Sequence, residues 1–340
     1  MVTEVTRETY VVLKKASRPI YDYKFGLLTI HKQRWFASID NTVHRLHTNI
    51  TNLKSELRYC LRYNNQDLVC VDIKNSQPYL SILLLNAAFY ASEDEWQGLY
   101  HHKDKGAISL SILHSITPIQ SNISIPLSFF SNIYNSILLQ IPPLIMILVS
   151  ENLSETGETI PENDILTEIC SYINHAAKGT LYEHIRTSME AKGLPVPDSR
   201  KELKAIVFQV LFTDNRFKGQ EDAAPKRVFQ ELFPTVTKVF ELIKKKDSTL
   251  LPILLQQLES TIFLDRITKR ISEEQPQLPI FTIHDSIMTL KGNEDYVSAI
   301  IKEECKKAVG VAPALSIEYY DDQGIQNVIN KLQLPIAPTN

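Results

Sequence analysis

The sequence predicts a mixed α/β fold in which helices pack beside a small antiparallel sheet. Two short apolar runs have the composition of strands, and each leads into an aspartate, Asp72 in the first run and Asp285 in the second. The segments between them carry apolar residues at helical spacing. With 340 residues and 44% apolar content, the chain can bury a sizeable core, as one large domain or two closely packed ones.

The first part of the chain is expected to be mainly helical over residues 1–63. A strand is expected over 67–72, because Val and Cys dominate that run. Pro78 suits the first turn of a helix over 79–90, since proline lacks an N–H that the first turn would leave unpaired anyway.

The middle of the chain has an unusual charge pattern, because residues 106–150 contain no Asp, Glu, Lys or Arg. Their Ser, Asn and Pro content excludes a membrane span, so we expect helices and loops packed against the core. The alternative is a surface for a partner or for self-association. The acidic, Ser/Thr-rich residues 151–164 indicate an exposed loop.

The second half alternates helices with short breaks and closes with strands. Ser199 is a good N-cap residue for a helix that begins at Arg200. The expected helices cover 165–192, 200–212, 229–246, 251–271 and 295–309, and the expected strands cover 279–284, 285–290 and 315–320.

Composition narrows the class of protein. The four cysteines share no CxxC spacing, which indicates reduced thiols and not a zinc site or a disulfide framework. The N-terminal residues lack the apolar core of a secretory signal, and no apolar run is long enough for a bilayer. These features predict a cytoplasmic protein without membrane contact.

The net charge of −3 argues against a uniformly basic surface. Lys and Arg nevertheless outnumber Asp and Glu in two stretches, 1–63 and 199–246. Either stretch is suited to face phosphates, although solvated helix faces commonly carry such charge.

The two aspartates suggest a metal site. A carboxylate at a strand end is held by the hydrogen-bonded ladder yet faces open space, so two such strands side by side can hold two hard cations. Asp72 and Asp285 are thus candidate ligands for two Mg²⁺ ions, with Mn²⁺ expected to substitute. Taken alone, an aspartate after a strand is more often a turn or cap residue.

A helical stripe lies between the two aspartates. Arg200, Lys204, Phe208 and Phe212 follow one another at intervals of four and therefore share one helix face. The cations are suited to grip a triphosphate, and the aromatic rings to stack on a base. An ordinary amphipathic helix is the simpler interpretation of such a stripe taken by itself.

Three segments in this order resemble motifs of the family A DNA polymerases and the related single-subunit phage-type RNA polymerases. Asp72-Ile-Lys-Asn-Ser-Gln77 resembles their first palm motif, and SRKELKAIVFQVLF, starting at Ser199, resembles their fingers helix. His284-Asp285-Ser286 is similar to their last palm motif, which lies on a β-hairpin. His284-Asp285 is also similar to the HD phosphohydrolase pair, but that pair lies on helices, whereas this segment has strand periodicity.

The resemblance implies roles for the residues that bind metal and triphosphate. Asp72 and Asp285 would hold the two metals, with the Ile73 carbonyl as an additional ligand. Arg200 and Lys204 would bind the triphosphate, and Lys204 would protonate the leaving pyrophosphate.

It also implies roles around the base, the sugar and the primer. Phe208 would stack on the nascent base pair, and Gln77 with Phe212 would form the gate that inspects the sugar. The DNA-making relatives have Glu and Tyr at these two gate positions. The RNA-making relatives require the tyrosine hydroxyl, so Phe212 favours dNTPs, with relaxed sugar discrimination.

Two further similarities concern nucleic-acid contacts. Leu46-His-Thr followed by Arg58 resembles a segment whose arginine contacts primer or template, and His284 would support the primer terminus. Gln257 resembles a glutamine that reaches the minor groove at the primer end. A purely structural role is an equal alternative for Arg58 and Gln257.

We therefore expect a right-hand polymerase palm with an antiparallel sheet, helical fingers and a reduced thumb, because only 71 residues precede Asp72. The expected divisions are 1–63, an N-terminal helical region or reduced thumb; 64–100, the first palm part; 101–198, an insertion; 199–250, the fingers; and 251–340, the second palm part.

The expected function is template-directed addition of dNTPs to a DNA primer, by an exonuclease-free polymerase of a mobile element or a phage-like replicon. Two alternatives remain open from the sequence. One is an RNA polymerase, a primase or a template-independent terminal transferase. The other is a non-catalytic nucleic-acid-binding protein on the same fold.

Overall fold

A four-stranded antiparallel sheet and a set of helices form the protein in a computed structural model, which confirms the expected fold class. The structure describes residue 26 and residues 28–85, 165–196, 199–216, 223–244 and 247–333. The expectations for 86–164, including the uncharged stretch and the acidic loop, lie outside these residues.

The strands fall in two groups along the chain, with a run of helices between them. In chain order they are β1 Ala37–Ile39, β2 Leu46–Thr48, α1 Ser55–Arg58, β3 Leu68–Ile73, α2 Ser76–Ser81, α3 Ile165–Lys178, α4 Leu181–Ala191, α5 Arg200–Phe212, α6 Ala224–Leu232, α7 Pro234–Ile243, α8 Leu250–Ser260, α9 Lys269–Glu274, β4 Ile280–Ile283, β5 Ser286–Leu290, α10 Glu294–Val309, β6 Leu315–Tyr320 and α11 Asp322–Gln333. A 3₁₀ helix, Ile82–Leu85, follows α2, and a π-helical segment, Thr261–Thr268, joins α8 to α9.

The chain divides into two compact units. The sheet unit contains the described residues up to 73, residues 262–301 and residues from 315 on. The helical unit contains the described residues of 74–261 together with 302–314.

The sheet of the sheet unit has the order β4-β5-β3-β6, and each neighbouring pair is antiparallel. β3 lies between two partners and is buried along most of its length. This position explains why its sequence, LVCVDI, is an almost continuous apolar run and not an alternating one. The register places Asp72 opposite Ser286 of β5 and opposite Ser316 of β6.

The N-terminal residues correct the expectation of a mainly helical segment over 1–63. In the described part, β1 and β2 form an antiparallel hairpin, and the helix α1 has only four residues. The turn is closed by the Asp40 carboxylate, which accepts the backbone N–H groups of Thr42, Val43 and Arg45. Such local side-chain bonds stabilise a turn at the expense of a helix.

A hydrophobic core holds this hairpin region against the sheet. Leu53, Leu57 and Leu61 follow the hairpin and pack in one buried cluster with Cys70 of β3 and Met288 of β5. All four cysteines of the chain are free thiols, as the sequence predicts.

The helical unit has an aromatic core, in which Tyr172 of α3 contacts Phe229, Phe233 and Phe240. Two expected helices are each interrupted. The helix expected over 165–192 breaks at Gly179, where φ is +70°, and the helix expected over 229–246 breaks at Phe233, before Pro234.

The expected helix over 251–271 also differs, because α8 passes into the π-helical segment before α9 begins. By contrast, α5 and β6 have the expected bounds. In the part of the chain that the structure describes, no helix is both long enough and apolar enough to cross a bilayer.

Candidate active site

Asp72 and Asp285 lie on neighbouring strands of the sheet unit. Asp72 is the last residue but one of β3 and pairs with Ser286, the first residue of β5. Asp285 immediately precedes Ser286, and its carbonyl accepts the Ile73 N–H at 3.3 Å. Asp285 is thus offset by one residue from the position directly opposite Asp72. Both aspartates are half-buried.

The tight turn between β4 and β5 fixes the position of Asp285. The pairing of Ile283 with Ser286 leaves only His284 and Asp285 in the loop. His284 has a φ of +56°, a conformation that L residues adopt mainly in turns. The Ser286 hydroxyl donates to the Ile283 carbonyl at 2.9 Å and closes the turn from within.

A cationic cluster surrounds His284. The His47 ring, on β2, meets the His284 ring edge to face, with 6.3 Å between the centroids. Burial lowers the pKa of His284, and the positive charges of Arg45 and Arg58 lower it further, whereas Asp285 acts in the opposite direction. The lowered pKa favours the neutral imidazole of His284.

Arg58 is held in place by backbone carbonyls. Its Nε donates to the Leu53 carbonyl at 3.2 Å, and its Nη2 donates to the Thr51 carbonyl at 3.1 Å. The hairpin, α1 and the β4–β5 turn therefore place the predicted residues Arg58 and His284 in one neighbourhood. Arg45 belongs to this cluster and was not singled out from the sequence, although it directly precedes Leu46-His-Thr.

The donor set at the strand ends consists of two carboxylates. Among the described residues, no group of three or more His, Cys, Asp or Glu side chains is arranged to hold a metal ion. Asp72 and Asp285 can nevertheless fit Mg²⁺, because this ion retains several waters and is commonly held by one or two carboxylates together with substrate phosphates. A zinc site, which needs three or four protein ligands, does not fit.

In the helical unit, Gln77 of α2 and Glu259 of α8 form a buried pair. Gln77 Nε2 donates to Glu259 Oε2 at 2.5 Å, and the two residues are 6% and 1% exposed. Glu259 was not singled out from the sequence. The sequence does offer a sign of this pair, because Glu259 lies in a largely apolar segment, LLPILLQQLES, and a buried glutamate requires a polar partner.

Gln257 of α8 is also buried. The minor-groove contact expected from the sequence requires an exposed side chain instead.

Asn75, just before α2, has a φ of +56°, and both polar atoms of its side chain are buried without a hydrogen-bond partner in the described structure. Gln77 Oε1 has the same status. Buried polar atoms without partners are costly, so these two side chains are candidates to contact a bound polar molecule.

The predicted stripe forms on α5. Ser199 caps the helix, since its hydroxyl accepts the Glu202 N–H at 3.2 Å. The exposed Lys204 places its Nζ 5.2 Å from the centre of the Phe208 ring, and the Phe208 and Phe212 centroids are 5.0 Å apart. Arg200 is the first residue of the helix.

Comparison with solved structures finds a polymerase domain of low similarity. The POL domain of Pol1 from M. smegmatis, in complex with DNA primer-template and dNTP, aligns with a TM-score of 0.35 and 11% sequence identity. The alignment covers 92% of this chain and 51% of that chain, so this chain spans about half the length of the solved one. No protein-family model and no curated protein matches the sequence.

Proposed function

We propose that this chain is a nucleotidyltransferase, and specifically a template-directed DNA polymerase that adds dNTPs to the 3′-hydroxyl of a primer. One observation carries the proposal: the antiparallel register that sets Asp72 opposite Ser286 and the Ile73 N–H against the Asp285 carbonyl. Two carboxylates on neighbouring strand ends are what a pair of catalytic Mg²⁺ ions requires.

We assign the metal sites to Asp72 and Asp285, with the Ile73 carbonyl as an additional oxygen ligand. When bound, the ions would lower the pKa of the primer hydroxyl and neutralise the charge of the leaving pyrophosphate. The contribution of the chain is to hold the carboxylates still, through the β3–β5 ladder and the closed turn at His284.

We assign the incoming triphosphate to α5. Arg200 and Lys204 stand one helical turn apart, and charge-assisted bonds from such a pair suit a polyphosphate. Lys204 is exposed and stands over the Phe208 ring, so it can reach a ligand without first breaking a buried ion pair. We give Lys204 the additional role of proton donor to pyrophosphate.

The nucleic acid is assigned to the cationic cluster of the sheet unit. Arg58 is held by two backbone carbonyls and keeps further N–H donors for a phosphate or a base edge. A neutral His284 offers one donor and one acceptor to the primer terminus. The positive charges of Arg45 and Arg58 favour the approach of phosphates.

The base and the sugar are assigned to the remaining stripe and to Gln77. Phe208 would stack on the nascent pair, and Gln77 and Phe212 would form the sugar gate. The bond to Glu259 supports this role for Gln77, because it restricts the side chain to one orientation. Gln257, buried in this structure, would have to turn outward to reach a minor groove.

Primer extension with purified protein tests the proposal. The wild type should extend a labelled primer on a template with Mg²⁺ and dNTPs. Asp72→Asn and Asp285→Asn should each reduce the rate by at least about a thousandfold, because each removes a charged metal ligand while keeping the side-chain shape. Asp295→Asn, which changes an exposed aspartate of the same unit, should leave the rate unchanged.

Other outcomes point to other functions. Template-independent products on a bare single strand would replace the proposal with terminal transfer, and a preference for NTPs would replace it with RNA synthesis. Metal-independent DNA binding without any product would leave a non-catalytic binding protein. Full activity of Asp72→Asn would contradict the two-metal assignment.

A further inference from the structure

The segment that leads into β1 exposes two adjacent aromatic rings. Trp35 is 51% exposed and Phe36 is 45% exposed. Large aromatic side chains normally contribute to a core, and adjacent exposed rings commonly mark an interaction site.

The exposure of these rings is built into the fold by a buried side chain. Asn49, 3% exposed, donates from Nδ2 to the Arg34 carbonyl at 3.0 Å and accepts the Phe36 N–H at 2.9 Å on Oδ1. Both ends of one amide therefore hold the backbone on either side of Trp35. This arrangement fixes the peptide groups that present the two rings to solvent.

The charge next to the rings is positive. Lys32 and Arg34 are exposed, and the sequence from Leu28 to Ile39 contains no acidic residue. Exposed cations interleaved with aromatic rings complement nucleic acid, because the cations bind phosphates while the rings stack on bases.

The same segment is continuous with the cationic cluster of the candidate site. β1 begins directly after Phe36 and pairs with β2, where Ser38 stands opposite His47. His47 in turn contacts the ring of His284, beside Asp285. One hairpin therefore links the exposed rings to the cluster that the proposed function assigns to nucleic acid.

We infer that Trp35 and Phe36, with Lys32 and Arg34, form a stacking platform for single-stranded nucleic acid. A duplex offers only the edges of its internal bases, whereas an unpaired strand offers base faces to aromatic rings. The platform goes beyond the proposed function, since single-strand binding requires neither metal nor nucleotide. If the chain is a polymerase, the unpaired template is the strand that the platform holds.

Tryptophan fluorescence provides a direct test, because the chain has only two tryptophans, Trp35 and Trp96. In a Trp96→Phe protein, the emission comes from Trp35 alone. A saturable quench is expected on titration with a single-stranded 12-mer oligonucleotide, without Mg²⁺ or dNTP, since stacking quenches the indole. A blunt duplex of the same sequence should quench it far less.

Variants measure the contribution of the platform to affinity. Trp35→Ala should weaken binding of a labelled single strand about tenfold in fluorescence anisotropy, whereas Trp35→Phe should retain most of the affinity. Tyr319→Ala removes an exposed aromatic ring of β6 and is the matched control, with little change expected. In the double variant Lys32→Gln with Arg34→Gln, the plot of the logarithm of the association constant against the logarithm of the salt concentration should be less steep by about 1.4.

Three results would overturn the inference: unchanged Trp35 emission at saturating oligonucleotide, equal affinity of Trp35→Ala and the wild type, or an equal quench by the duplex. A wild-type oligomer that Trp35→Ala dissociates would reassign the rings to a protein interface. Because these measurements contain no metal or nucleotide, a failure of the platform is distinguishable from an absence of nucleotidyl transfer.

Discussion

Gln77 and Glu259, which are 182 residues apart in the sequence, form a side-chain hydrogen bond of 2.5 Å inside the helical unit. The amide belongs to α2, at the residue that we propose for the sugar gate, and the carboxylate comes from α8. If Gln77 forms part of a sugar gate, Glu259 is the residue that orients it.

Removing the carboxylate is expected to destabilise the protein and to loosen the gate. Glu259→Ala leaves the buried Gln77 amide without this acceptor, which should cost about 1–3 kcal/mol of unfolding free energy in urea titrations. The kcat/KM ratio of dNTP over NTP should fall in the same variant and in Gln77→Ala. Glu259→Gln keeps an oxygen acceptor and should cost less.

Exchanging the two side chains provides the control. Gln77→Glu alone sets two carboxylates against each other and should destabilise the protein at pH 7. The double variant Gln77→Glu with Glu259→Gln restores an amide–carboxylate pair and should recover most of the loss. Additive losses in the double variant would contradict direct coupling.

The stacked histidines of the helical unit predict a pH-dependent stability. The rings of His175 and His184 are 4.0 Å apart, and burial, His184 and Lys178 lower the pKa of His175 from 6.5 to about 4. Its contribution to stability is complete above about pH 6.5 and is lost as the pH falls toward 4, because the unfolded chain takes up the proton first.

The wild type should therefore lose unfolding free energy between pH 6.5 and pH 4 in urea titrations, and His175→Asn should reduce that loss by about 1–2 kcal/mol. This value allows for solvent screening of a half-buried ring. The exposed Thr187 of α4 has no titratable group and is the control, so Thr187→Ala should leave the profile unchanged. An unaltered slope in His175→Asn would disprove the assignment.

Two glycines allow a matched test of backbone conformation against steric contact. Gly179 and Gly193 both have left-handed backbone, with φ values of +70° and +65°. A Cβ added at Gly179 would lie 2.6 Å from Lys74 Cβ, whereas a Cβ added at Gly193 would have no atom within 4 Å. Gly193→Ala should cost about 1 kcal/mol, for the left-handed backbone alone. Gly179→Ala should cost about 2–4 kcal/mol, since the clash adds to it. Equal thermal shifts in the two variants would count against this contact.

The two hydrogen bonds that join Asn49 to the backbone of Arg34 and Phe36 are expected to stabilise the protein. Asn49→Ala should cost about 1–3 kcal/mol in urea unfolding, because it removes the partners of the Arg34 carbonyl and the Phe36 N–H. Asn49→Asp keeps the acceptor for Phe36 but sets a buried carboxylate oxygen against the Arg34 carbonyl, so at pH 7 it should cost at least as much as alanine. The outcome that excludes this stabilisation is an alanine variant as stable as the wild type.

Local patterns were enough for several elements. Ser199 and the four-residue stripe predict α5 with its observed bounds, because a cap and a repeated spacing act within a few residues. The apolar run of β3 follows from an equally local signal, whereas His284 and Asp285, expected within strands, form the loop between β4 and β5. The hairpin at Asp40 shows the limit, since the side-chain bonds that close it override the helical content expected there.

The sequence by itself determined the types of side chain available for chemistry and, for Asp72 and the stripe on α5, the strand or helix that carries them. Only the tertiary structure decided which of them meet: Asp72 opposite Ser286 and beside Asp285, Arg58 with His284, and Gln77 with Glu259. The physical reason is range. Capping and periodicity operate over one or two turns, whereas strand register and helix packing depend on how distant apolar faces fit together.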